Sequence, residues 1–97
     1  MTTKTKKPII LCAGQNGRAI VYGYVEKDPE PGKPVRLTES RMVISYPSGG
    51  TLGLGAVGPP EGSRVTHAVP VNVATVWQEY FECTAKAAEV FDAWSAE

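Results

Sequence analysis

Asn16-Gly17 stands between an apolar run, Pro8 to Ala13, and ten residues of steady alternation, Arg18 to Lys27. Tight hairpin turns need positive φ at their central residues, and Asn-Gly supplies it at little steric cost. The alternation places Ala19, Val21, Gly23 and Val25 on one face. Ile20, Tyr22, Tyr24 and Glu26 fall on the other. A chain that begins this way is set on an antiparallel sheet. Tyr22 and Tyr24 around Gly23 further predict aromatic cover over a strand whose backbone is approached closely by something else.

The remaining segments fit around that hairpin. Asp28 to Pro34 is a polar, proline-rich connector. Val35 to Tyr46 reads as one strand, or as two with a bend near Glu39-Ser40, and Pro47-Ser48-Gly49-Gly50 ends it. Val71 to Glu82 alternates for twelve residues rich in β-branched and aromatic side chains, which predicts a strand, with a helix possible from Thr75 onward. Thr84 is placed to cap a helix through Trp94, whose Ala87, Val90, Phe91 and Trp94 share one apolar face. Ten glycines and eight prolines in 97 residues keep every element short. The expected architecture is α+β, a small antiparallel sheet of about five strands with a C-terminal helix packed on it. Residues 1–7 are read as a flexible arm and 8–97 as a single domain with a small core.

Ten basic residues balance ten acidic ones. Residues 1–41 hold eight Lys/Arg and four Asp/Glu, a charge of +4, and residues 42–97 hold two and six, a charge of −4. Nucleic-acid binding needs a basic excess and is not expected. No run approaches the ~20 apolar residues that span a bilayer, and Ile9 to Cys12 is too short for a signal peptide. Two unrelated cysteines and one histidine provide no metal set, and no cofactor is implied. Cys12 and Cys83 are read as buried free thiols.

Gly53 to Gly58 matches the GxGxxG fingerprint, but Pro59-Pro60 follows immediately and no acid occurs at the distance a dinucleotide site requires. Two readings of the glycine-rich stretch remain: a backbone cradle for an anion, or a plain connection, either a flexible surface crossover or one short irregular helical turn from Thr51. Arg18, Arg41 and Arg64 each stand at the edge of a strand-like run. If those edges converge, their guanidinium groups, with Tyr22, Tyr24 and Tyr46 as stacking faces, make a nucleotide-sized pocket, and the Ser48 and Thr51 hydroxyls of the glycine-rich stretch are further candidates to bind the ligand. Trp77, Phe81, Phe91 and Trp94 are the candidates for a subunit interface, and a homo-oligomer is expected. Catalysis is not expected. The sole enzymatic alternative is a Cys–His hydrolase using His67 and one of the thiols.

The order of Tyr22-Gly23-Tyr24-Val25, a strand bearing Arg41, Gly49-Gly50-Thr51-Leu52, Gly62-Ser63-Arg64-Val65, Val69-Pro70 and Glu82-Cys83-Thr84 resembles a family of small tailed-phage proteins, a domain of unknown function. The resemblance covers roughly residues 18–84. Relatives look more helical over 53–62 than this Gly/Pro-rich stretch. The resemblance implies a phage product in the host bacterial cytoplasm with no catalytic residues to carry over. Such proteins frequently bind a host protein or host small molecule. One class captures nucleotide signalling ligands in pockets between subunits. Binding of a host partner is therefore the expected function, with a nucleotide sponge as the alternative.

Overall fold

A computed structural model describes residues 6–96. Its strands are β1 (Lys7–Ala13), β2 (Ala19–Val25), β3 (Val35–Ser45), β4 (Arg64–Val65), β5 (Val69–Ala74) and β6 (Trp77–Glu82). The helices are α1 (Gly50–Val57), between β3 and β4, and α2 (Ala85–Asp92), after β6. The antiparallel sheet, packed against a C-terminal helix, confirms the α+β class. Residues 1–5 of the expected arm lie outside the described residues, and β1 already begins at Lys7.

The hairpin forms where Asn16-Gly17 predicts it, with Gly14 and Gly17 at φ 83° and 70° and Lys7 to Ala13 paired with Val25 to Ala19. The strand order is β4-β3-β2-β1-β6, and β5 also pairs with β3. In a flat sheet β5 and β6 would stand four inter-strand steps apart, about 19 Å. Only Thr75-Val76 joins them. Three Cα steps reach at most about 11 Å, so the sheet must curl. The expected continuous strand over 71–82 is accordingly broken at this corner, where Gly14 N donates to Val76 O at 2.9 Å.

Curling separates two cores. Ile9, Leu11, Ala13, Val21, Val25, Val35 and Leu37 fill the concave face, with Trp77 and Tyr80 against them. Ile10, Cys12, Ile20, Tyr22, Val43, Leu54, Val65 and Phe91 form the convex core under the helices. Gly23 sits where Leu37 crosses, since a Cβ there would lie 2.9 Å from the Leu37 side chain. The sequence signal around Gly23 is thereby explained.

The glycine-rich stretch holds a helix rather than an extended crossover. α1 buries Leu54 and lays Gly55 against β6, and Gly58 closes it with φ 86° and a 3.0 Å bond to Leu54 O. Thr84 connects the two helices. Its Oγ1 accepts from Ala87 N at 3.1 Å as the α2 cap and donates to Ala56 O at 2.7 Å, while its N–H donates to Gly55 O at 2.9 Å. The last carbonyls of α1 are thus satisfied by the residue that starts α2.

Candidate functional site

Arg41 is buried. Its Nε donates to Thr66 O and its Nη2 to Trp94 O, each at 2.8 Å, and Nη1 donates to Phe91 O. Phe91 and Trp94 lie at the C-terminal end of α2, where the helix dipole concentrates negative charge. The guanidinium therefore acts as a helix cap. The expectation that Arg41 presents its fork to an anion is corrected, because main-chain carbonyls already occupy it.

Arg18 and Arg64 do approach one another across the sheet. Extending the Ile20↔Val43 register by two residues sets Arg18 beside Ser45, and Ser45 pairs with Arg64. Tyr46 continues β3 and is half-buried against the convex core, while Ser48 lies in the link that follows and Thr51 in the first turn of α1. Arg18 and Arg64 thus share a cross-strand row, and Arg41 is removed from it by burial. Ser63, nearby in the chain, has a buried Oγ without a hydrogen-bond partner among the described residues.

The four aromatic candidates are engaged within the chain. Phe91 is fully buried and stacks on Tyr22 at 4.1 Å, so its assignment to a subunit interface is corrected: it is a core residue. Phe81 is half-buried and lies beneath α1, within 2.9 Å of where a Gly55 Cβ would stand. Trp77 donates from Nε1 to Lys33 O at 2.8 Å, tying the 26–34 loop to β6. Trp94 rests partly buried on the convex core.

The cavities lie at the other end of the sheet from Arg18. A cleft of about 760 Å³ runs beneath the 26–34 loop. A second hollow of about 180 Å³ is bounded by Glu39, Arg41, Ala68 and Asp92. Tyr24 borders both. Its hydroxyl donates to Asp92 Oδ2 at 2.5 Å, and Tyr22 donates to Oδ1 at 3.0 Å. Burial first, then Asp92, raises the Tyr24 pKa and keeps its proton in place. Glu39 takes φ 50° at the irregularity between Tyr22 and Tyr24 in the β2–β3 register, a left-handed conformation costly for a residue with a Cβ.

Sequence reasoning read Tyr24 as aromatic cover over a strand and missed its bond to Asp92. The bend it placed near Glu39-Ser40 was the available signal. His67 is exposed in the link between β4 and β5 and makes no hydrogen bond to either thiol. Burial raises the Cys12 pKa and pushes Cys83 up to about 12. Among the described residues no group of three or more His, Cys, Asp or Glu is placed to hold a metal, and no helix is long and apolar enough to cross a membrane.

No curated protein and no solved structure matches the chain. A family model described as Domain of unknown function (DUF6948) matches residues 6–91, nearly the whole chain, and the chain belongs to that family.

Proposed function

We propose that this chain is a non-enzymatic binding protein, encoded by a phage and acting in the bacterial cytoplasm, that holds a polypeptide segment of a host protein beneath the 26–34 loop. The observation that carries this reading is the charge lining of the 760 Å³ cleft. Lys27, Lys33 and Arg36 are matched there by Glu26, Asp28 and Glu30. A nucleotide-like polyanion would meet three carboxylates, whereas a polypeptide carries both charge signs and complements both. Tyr24, held by Asp92, supplies a fixed aromatic wall, and Pro29 and Pro34 add apolar surface with little entropy to lose. The protonated thiols support a non-catalytic role, since the thiolate is the nucleophile.

Native mass spectrometry on the protein purified gently from its bacterial host tests this. The expected result is a stoichiometric polypeptide retained by the wild type and lost in a folded Lys33→Glu, Arg36→Glu variant. A bare chain, or an adduct of a few hundred daltons that survives those substitutions, overturns it. The second outcome would return attention to the Arg18–Arg64 rim and the nucleotide-sponge alternative.

A further inference from the structure

The two exposed strands of the curled sheet are finished differently. β6 shows Gln78, Glu79 and Glu82 to solvent. β5 shows Val69, Val71 and Val73, at 47%, 43% and 51% exposure. From Val65 through Gln78 there is no Asp, Glu, Lys or Arg. Residues 69–74 pair with β3 along one side, and among the described residues no other backbone hydrogen bond reaches them. Sheet edges in soluble proteins are ordinarily guarded by charges because an unguarded one is a template for another strand. β6 has such guards; β5 has only Pro70.

We infer that β5 pairs antiparallel with β5 of a second copy of this chain, about a two-fold axis at Val71-Asn72. Charge selects this occupant. In a two-fold interface every charged residue near the axis meets its own copy, which is repulsive, so a charge-free strand is the kind of edge that tolerates self-pairing. The nearest formal charges on the neighbouring strand are Arg36 and Glu39, which β3 places opposite Val73 and Pro70. The copy of each would lie three inter-strand steps away, about 14 Å, beyond the screening length of about 8 Å at physiological salt. Side-chain parity also fits. An axis on Val71 sets Val71 against itself and Val69 against Val73, and an axis on Asn72 sets Val71 against Val73. Valine meets valine in either register. Pro70 stands opposite Glu39, the step at which the β3–β5 ladder records no pair, so its missing donor falls where the ladder is already interrupted. This surface is separate from the cleft and does not depend on what the cleft holds.

Light scattering after size exclusion, at high micromolar protein, tests the inference. The wild type is expected at twice the 10.4 kDa chain mass. Val71→Lys and Val73→Lys are expected at the single-chain mass, and Gln78→Lys on β6 at the double mass, with far-UV circular dichroism confirming the fold of each. In parallel, Val71→Cys and Asn72→Cys are oxidised. A residue at the axis faces its copy within the 4.4–6.8 Å Cα separation that a disulfide bridges, so one of the two cross-links to a covalent dimer. A wild type that runs as a monomer overturns the proposal. So does a dimer untouched by both lysine variants, or failure of both cysteine variants to cross-link, and the cysteine result decides alone if the lysine variants unfold. A wild type whose added mass is a polypeptide of another sequence also overturns it.

Discussion

Tyr24 on β2 and Asp92 on α2 are joined by a 2.5 Å hydrogen bond from phenol to carboxylate, and the other oxygen of the same carboxylate accepts from Tyr22 at 3.0 Å. A carboxylate at the end of a helix is opposed by the dipole. Here two hydroxyls and the adjacent Arg41 guanidinium offset that cost. The result ties the last turn of α2 to the middle of the sheet and fixes the aromatic wall of the cleft.

Removing the acceptor exposes this coupling. Asp92→Ala leaves the buried Tyr22 hydroxyl with a 3.5 Å contact to Ala88 O and the neighbouring Tyr24 hydroxyl, neither of them charged. The expected loss is about 1.5–3 kcal/mol, the range for hydrogen bonds to a charged group. It is read as a lower urea midpoint with an unchanged slope. A loss under half a kcal/mol, on the order of an ordinary surface change, would show the bond to be incidental.

The same network sets a response to alkaline pH. Burial raises the pKa of Tyr22, Tyr24 and Cys12 and lifts Cys83 to about 12, from ordinary values of 10.0 for tyrosine and 9.0 for cysteine. Below about pH 8 both states keep these protons and stability is indifferent to them. Above it the unfolded chain releases protons that the folded chain retains, so stability falls as pH rises. Urea unfolding at pH 8 and at successive steps to pH 11 should show a steady decline that is shallower in Tyr24→Phe. A flat or rising profile over that interval would contradict the assigned burial.

How far the sequence carried these conclusions depended on the range of the interaction. The hairpin, the Thr84 cap and the close approach at Gly23 are local or nearly local, and each left its mark as a turn pair, a capping residue or a glycine between aromatics. The curl was hidden because it follows from a two-residue link between strands that pair with distant partners. Arg41 looked like an anion ligand because nothing local shows that Phe91 O and Trp94 O, more than fifty residues or close to it along the chain, would receive its donors. Phe91 looked like an interface residue for the same reason. An apolar helix face is equally suited to a sheet of its own chain, and Tyr22 was the partner. The helix over the glycine-rich stretch was obscured by propensity. Gly53 and Gly55 weaken a helix taken alone, and α1 persists through the burial of Leu54 and the satisfaction of its carbonyls by Thr84.

Arg41→Ala should therefore damage folding before it affects any ligand. The substitution leaves three carbonyls without their donor and removes the positive charge at the end of α2. About 3–5 kcal/mol should be lost from a total on the order of 5–15 kcal/mol. Arg41→Lys keeps the charge but cannot span three separate carbonyls, and should lose an intermediate amount. Denaturant unfolding of the three proteins orders them wild type, Lys, Ala. Equal stability of wild type and Ala would return Arg41 to the list of exposed binding groups.

Three glycines of one short segment should respond to alanine with different signs, because their surroundings differ. A Cβ at Gly53 meets nothing within 4 Å. Gly53→Ala should stabilise by about 0.5–1 kcal/mol by removing backbone freedom from the unfolded chain. A Cβ at Gly55 would lie 2.9 Å from Phe81 Cδ2 and 3.5 Å from Glu82 O, forcing α1 off β6. Gly55→Ala should cost about 1–3 kcal/mol, the usual range for overpacking. Gly58 combines φ 86° with a Cβ position 2.7 Å from Val90 Cβ. Gly58→Ala should be the most harmful, adding about 1–2 kcal/mol of left-handed strain to the clash. Val90→Gly made together with Gly58→Ala removes the Val90 Cβ that a Gly58 Cβ would meet and leaves the strain, so the pair should be less than additive in thermal or urea unfolding. Full additivity would place Val90 and Gly58 out of contact and break the α1–α2 packing described above.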